Sequence, residues 1–237
     1  MTTRPLHGMF SAVPGRYDLV NRLLTWGLDQ SWRRRAVRRI VEGRPRRVLD
    51  LGSGTGDLAL TLAGAGGVQQ VVAADFAAAM LGVAHEKALG RGLRERIFLT
   101  CADAAALPFA SGSFDAVGIA FAFRNITYRN PLTGRALGEL RRILRVGGRL
   151  TIVETSQPDR PLLRAAYHAY LGAAVGPLGG LISGQAGAYR YLSVSARRYY
   201  RAEEVSALLE SAGFEVAVCE PLLFGAAAIH VATRPPD

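Results

Sequence analysis

One run constrains this chain more than any other: Val48-Leu49-Asp50-Leu51-Gly52-Ser53-Gly54-Thr55-Gly56-Asp57. An apolar strand passes straight into a glycine-rich turn and then into a helix. Glycine tolerates positive φ and lets backbone come close to a ligand. A helix start adds N–H groups that lack intrahelical partners. Two nucleotide-binding turns are tested against the spacing. A dinucleotide site has G-x-G-x-x-G, whose third glycine packs the helix on the strand. Here that glycine arrives one residue early, at Gly56, and Asp57 stands in its place. A P-loop needs a lysine after its last glycine, and none follows.

From about residue 47 onward, apolar strand-like runs alternate with helical patterns, which predicts a mostly parallel sheet with helices on both faces. Strands are expected over residues 47–51, 70–75, 97–102, 114–121, 149–154, 214–220 and 226–233. A tight Val146-Gly147-Gly148-Arg149 turn leads into the fifth. Helices are expected over 56–62, 78–89, 131–144 and 202–212, after two earlier ones over 16–26 and 29–42, the second capped by Asp29. The fold class is α/β and Rossmann-like: a seven-stranded, mostly parallel sheet, an antiparallel C-terminal hairpin and N-terminal helices. The expected organisation is one domain over 1–237, with a helical cap over 1–45. Residues 156–201 are too many for an ordinary connection and read as an inserted lid or substrate element.

Chemistry-bearing residues fall at the carboxyl ends of the strands, where open α/β sheets bind ligands. The glycine turn is of the G-x-G-x-G form found in class I methyltransferases, so Gly52, Ser53, Gly54, Thr55 and Gly56 are expected to contact S-adenosylmethionine. Asp50 either anchors the turn or faces the cofactor's cationic methionine end. Asp75 closes the second strand, where a carboxylate accepts ribose hydroxyls; the same acid also suits a nicotinamide cofactor. Phe76 and Met80 are expected to flank the adenine, although both are ordinary core residue types. Asp103 and Ala104 at the third strand, and Ala120 at the fourth, complete the expected cofactor contacts. Asp115 opens the fourth strand and reads as structural.

Composition narrows the classes further. Hydrophobic residues make up 49% and charged residues 20%, a globular balance. The two cysteines, Cys101 and Cys219, lie in strand-like runs with no C-x-x-C spacing. No disulfide or metal site is expected, and a cytoplasmic setting fits. The net charge is +10, and eleven arginines lie in the first 49 residues against Asp18, Asp29 and Glu42. Trp32, Ala36 and Ile40 recur on one side of the second helix, with arginines opposite. That face suits an anionic lipid or nucleic-acid surface, or is simply solvated.

With these motifs in view, the chain resembles the C-methyltransferases of menaquinone and ubiquinone biosynthesis, from Phe10 to about Arg234. The segment from Phe10 to Asn21 is similar to the family's F-x-x-x-A-x-x-Y-D-x-x-N, and Leu28 to Arg33 to its G-x-x-x-x-W-[KR]. Phe121-Ala122-Phe123-Arg124-Asn125-Ile126 looks like F-G-[LIV]-R-N-V, and Tyr189 to Ser195 like Y-x-Y-L-x-x-S. Three departures stand out. Glu154-Thr155-Ser156-Gln157-Pro158 replaces the usual E-F-S-K-P, Ala120 replaces a serine, and Ala122 replaces the family glycine.

The resemblance implies methyl transfer from S-adenosylmethionine to a ring carbon of a prenylated quinol such as demethylmenaquinol. Arg124 and Asn125 are then the expected catalytic pair. Arginine stays protonated, so Arg124 polarises a water or stabilises an oxyanion, while Asn125 bonds the ring oxygen and Tyr17 closes the site. The rival role of Arg124 is a structural ion pair. His168 reads as structural more readily than catalytic. The apolar stretch 171–188 is expected to receive a prenyl tail, dip into a bilayer, or form a helical lid. With the basic helix it fits peripheral contact at the inner face of the cell membrane. No nucleic-acid partner is expected, and a homodimer is compatible with the sequence. The rival classes are methyltransferases for another small molecule or for RNA, and nicotinamide oxidoreductases.

Overall fold

The computed structural model describes residues 17–184 and 186–236. Helices α1 (Tyr17–Leu24) and α2 (Leu28–Val41) precede the sheet. The run then alternates: β1 (Arg47–Leu51), α3 (Asp57–Gly64), β2 (Gln70–Asp75), α4 (Ala78–Gly90), β3 (Ile97–Cys101) and β4 (Phe114–Ala120). A short α5 (Phe123–Thr127) and α6 (Thr133–Ile143) lead to β5 (Leu144–Thr155). The insertion follows as α7 (Pro161–Tyr170), a π-helical turn (Leu171–Val175), α8 (Gly176–Ser183) and α9 (Ala186–Arg197). Then α10 (Ala202–Ser211), β6 (Glu215–Leu222) and β7 (Ala227–Thr233) complete the order.

The seven strands form one sheet in the order β3-β2-β1-β4-β5-β7-β6. The first five pair in parallel, and β7 runs antiparallel to both β5 and β6. Strands β1, β2 and β4 are buried along most of their length because helices cover both faces of the sheet. One face carries Val37 and Ile40 of α2 and Leu58, Leu60 and Leu62 of α3. The other carries Leu137, Leu140 and Ile143 of α6 and Val205 and Leu209 of α10. The strand order reverses between β1 and β4, so the crevice at their carboxyl ends opens there.

Two local expectations are corrected. Asp29 is not the cap of α2: that position is Gly27, at φ 73°, and Asp29 is buried in the first turn, paired with Arg33. The 146–149 turn is a bulge within β5, whose register to β4 shifts between Phe114 and Ala116. Gly147 and Gly148 exchange backbone hydrogen bonds with Arg234, which carries the strand through it. Both cysteines lie in strands, as expected, and are free and exposed.

The basic face of α2 is partly internal. Arg35 and Arg39 pair with Glu220 of β6, and Arg33 pairs with Asp29. Arg34 and Arg38 remain exposed. No helix of the described residues is long and apolar enough to cross a membrane.

Candidate active site

One cavity of about 600 Å³ opens at the β1–β4 crevice, within the usual range for small-molecule sites. The glycine turn forms its floor. Gly52 packs on Ala122, where an added Cβ would come within 2.3 Å of the alanine Cβ. Gly54 has φ 53° and open space where a side chain would stand, so backbone is presented to the cavity. Ser53 Oγ is buried and has no hydrogen-bond partner among the described residues. Such a group costs about 1–3 kcal/mol unless a ligand meets it.

Two buried acids flank this floor. Asp75 Oδ2 accepts from Gly54 N at 2.9 Å, and Oδ1 accepts from Ala77 N at 2.8 Å. Asp50 Oδ2 accepts from Ala59 N at 2.9 Å while the side chain borders the cavity, so it both anchors the helix start and faces the ligand space. Burial pushes its carboxyl up to about 7, opposed by that hydrogen bond and by Arg33 nearby. A carboxylate so destabilised favours a cationic neighbour.

Phe76, Met80, Asp103, Ala104 and Ala120 also line the cavity, as do Gly52, Ser53, Gly54 and Thr55. Gly56 does not; a Cβ there would meet Ala84 at 2.8 Å, so this glycine serves helix packing. Thr55's hydroxyl is engaged elsewhere: it donates to Asp18 Oδ1 at 2.6 Å and accepts from Lys87 Nζ at 3.1 Å. Lys87 also pairs with Asp18 at 2.6 Å and Asp57 at 2.7 Å. The chain's single lysine thus fastens α1 to the turn. Tyr17 begins α1, but its side chain is outside the described residues, as is the segment Phe10–Arg16.

At the end of β4 the backbone turns sharply. Phe121 N still donates to Val153 O at 2.8 Å, yet its φ is 60°, which non-glycine residues rarely adopt. The turn starts α5 at once and brings Arg124 and Asn125 to the cavity wall. Arg124 is buried. Its Nη1 donates to Thr155 Oγ1 at 2.8 Å and lies 3.5 Å from Glu154 Oε1. Its backbone N donates to Glu154 Oε2 at 3.0 Å. Arg124 therefore makes the structural ion pair and lines the cavity as well. Asn125 Oδ1 accepts from the Tyr191 hydroxyl at 3.4 Å, and burial raises that phenol above its ordinary value.

The opposite wall is apolar. Leu163, Tyr167, Leu171, Val175 and Leu192 come from the insertion, with Leu24 of α1. Residues 171–183 and 186–188 are helical and pack together: Gly179 admits the Tyr189 ring of α9, and Gly180 admits Ala186. His168 is absent from the cavity wall. Its Nε2 bonds Gln157 Oε1 at 2.7 Å, and Gln157 Nε2 reaches Ala196 O at 2.7 Å, tying α7 to α9. Asp115 is far from the crevice, accepting from Arg46 N and Arg47 N at 2.8 Å each. Arg33, Glu154 and Tyr167 are among the cavity residues to which the sequence assigned no part in the site.

A sheet in this order, with a glycine turn after its first strand and an acid ending its second, defines a Rossmann-like methyltransferase. A solved SAM dependent methyltransferase from Aquifex aeolicus shares the fold, with a TM-score of 0.59 at 20% identity, covering 84% of this chain and 89% of that one. The model of the ubiE/COQ5 methyltransferase family matches residues 2–234, and the chain belongs to that family. It is 50% identical over 227 residues to the demethylmenaquinone methyltransferase of Thermus thermophilus, covering 96% of this chain and all of that one. It is 38% identical to a ubiquinone/menaquinone biosynthesis C-methyltransferase, UbiE, of Geotalea uraniireducens, covering 95% and 94%.

Proposed function

We propose that this methyltransferase uses S-adenosylmethionine to methylate a ring carbon of a prenylated hydroquinol of the demethylmenaquinol type. One observation carries the reading: the polar strand-end wall and the apolar helical wall meet at Arg124 and Asn125 within one cavity. Asp75 would take the ribose hydroxyls, Phe76 and Met80 the adenine faces, and Asp103 the adenine amino group. Asp50 would meet the ammonium, and Arg33 the carboxylate, of the methionine end. The sulfonium supplies an electrophilic methyl group when bound. The protein's own task is to align the acceptor, exclude water and raise the ring's nucleophilicity. A hydroquinol carbon becomes a strong nucleophile once a ring hydroxyl ionises. Arg124 would hold that oxygen's charge, with Asn125 beside it.

The apolar wall suits a prenyl tail. Trp26 and Phe224 at the cavity mouth are 83% and 77% exposed, and Leu162 and Leu181 project from the insertion. Exposed apolar groups beside a basic helix are what a peripheral membrane contact requires, and a tail would enter from such a surface. The test is transfer of a labelled methyl group from S-adenosylmethionine to reduced demethylmenaquinol. Wild-type protein labels the quinol, and Arg124→Ala loses about 100- to 1000-fold in rate, the usual cost of a lost oxyanion donor. Cofactor binding without transfer to any quinol contradicts the reading.

A further inference from the structure

We infer that Thr155 and Glu154 form the proton relay that ionises the acceptor, an inference that rests on the quinol reading above. A protonated arginine cannot accept a proton, so the ring hydroxyl needs another base. Asn125 is no base either. Of the carboxylates that line the cavity, the one bonded to Arg124 is Glu154, 2% exposed. Its contact with the ligand space runs through Thr155, the last residue of β5, which is only half-buried. Thr155 Oγ1 donates to Glu154 Oε1 at 2.9 Å and accepts from Arg124 Nη1 at 2.8 Å. A hydroxyl oxygen has two lone pairs, and Arg124 occupies one. The other is available to a ring hydroxyl.

The geometry is held from several sides. Glu154 Oε1 also accepts from Thr155 N at 2.8 Å, and Oε2 accepts from Arg124 N at 3.0 Å. The carboxylate therefore cannot swing away from the hydroxyl without breaking backbone hydrogen bonds. The related family pattern has an apolar residue between the glutamate and the serine; here a hydroxyl occupies that position. The relay belongs to this chain's own sequence.

The step balances simply. The ring O–H bond breaks, and its proton passes to Thr155 Oγ1 as Thr155 gives its own proton to Glu154 Oε1. The bonding pair stays with the ring oxygen and is delocalised into the ring. Glu154 ends neutral, the acceptor ends anionic, and Arg124 faces that anion. After methylation the carbon-bound proton leaves to water, and the same path returns a proton from Glu154 to the ring oxygen.

The decisive comparison is Thr155→Val against Thr155→Ser, followed across pH. Valine keeps the shape and strand propensity but deletes the hydroxyl. General-base assistance is worth about 100-fold or more, so Thr155→Val falls by about that factor at pH 7. Its deficit shrinks roughly tenfold per pH unit as the acceptor ionises unaided, toward a phenol's pKa of about 10. Thr155→Ser stays within about threefold of wild type at every pH, as expected of a retained hydroxyl relay. Calorimetric affinity for S-adenosylmethionine stays level in both variants, while 1-naphthol, a redox-stable stand-in for the acceptor, binds Thr155→Val about two- to tenfold more weakly, as expected of one lost hydrogen bond, and Thr155→Ser as it binds wild type. A Thr155→Val rate that matches wild type, or that is reduced evenly at all pH, overturns the relay alone. Wild-type protein that binds the cofactor but methylates no quinol overturns the functional reading, and the relay with it.

Discussion

Across the cavity, the wall at the strand ends is held by hydrogen bonds, and the wall facing it is apolar at its surface, with the Gln157 bonds to His168 and Ala196 behind it. Asp75 fixes Gly54 and Ala77, Asp50 fixes Ala59, and Glu154 fixes Arg124 and Thr155, each through backbone N–H groups. The insertion has no comparable set of acids. Leu171, Val175 and Ala196 form a small cluster of their own, with Leu24, Tyr167, Tyr170 and Leu192 against it. The difference teaches how one site divides its work. Directional bonds suit a ligand of fixed shape and charge, while non-directional packing suits a long flexible chain.

The largest break in that contrast comes from Asp75→Ala. It removes a charged acceptor that organises the turn and, on the proposed reading, meets the ribose, a loss of about 1.5–3 kcal/mol, or roughly 10- to 150-fold in cofactor affinity. Calorimetry should show that weakening while naphthol binding is unchanged. Loss of both affinities together would mean that the walls are not separable.

The apolar wall is probed by the substrate itself. A hydroquinol lacking its tail gives up about 0.8 kcal/mol per buried methylene. Its KM should rise about 30-fold or more, with little change in cofactor affinity, since transfer of about three buried carbons or more accounts for that factor. An unaltered KM would place the tail outside the cavity.

Asp50 sharpens the comparison through pH. Its folded pKa is raised to about 7 by burial, so below pH 7 the empty site holds it neutral. A cation beside it favours the ionised form, so cofactor binding releases a proton. Affinity then rises with pH, by about tenfold between pH 6 and 8, and levels off above. Asp50→Asn should flatten the profile; a wild-type affinity that falls with pH would contradict the sign.

The smallest effect concerns the fastening of α1. Lys87→Met removes ion pairs to Asp18 and Asp57 that are about a quarter exposed or less. The expected loss is about 1 kcal/mol, seen as a melting shift of about 2–4 °C. No shift would mean that α1 is held by packing alone.

The directional wall was the more legible in the sequence. Strands β1 and β2 read correctly to the residue because continuous apolar runs end at glycine or acid. The acids at strand ends were visible for the same reason. The α5 helix was not: five residues are too few to show a period, and its start depends on the positive φ of Phe121. The helices of the insertion were also obscure, since Gly179 and Gly180 break any propensity signal and make sense only against Tyr189 and Ala186. Thr155 was visible as a departure from the family pattern and Glu154 as a match to it, but only folding brings them to Arg124. Lys87 offered one clue, being the only lysine.

The most direct test is a crystal structure with S-adenosylhomocysteine and a tailed naphthol bound together. The account predicts the adenosine against Asp75 and Phe76, the ring oxygen beside Arg124 and Thr155, and the tail along Leu171 and Val175. A ring bound away from Arg124, or a tail lying outside the insertion's wall, would contradict it.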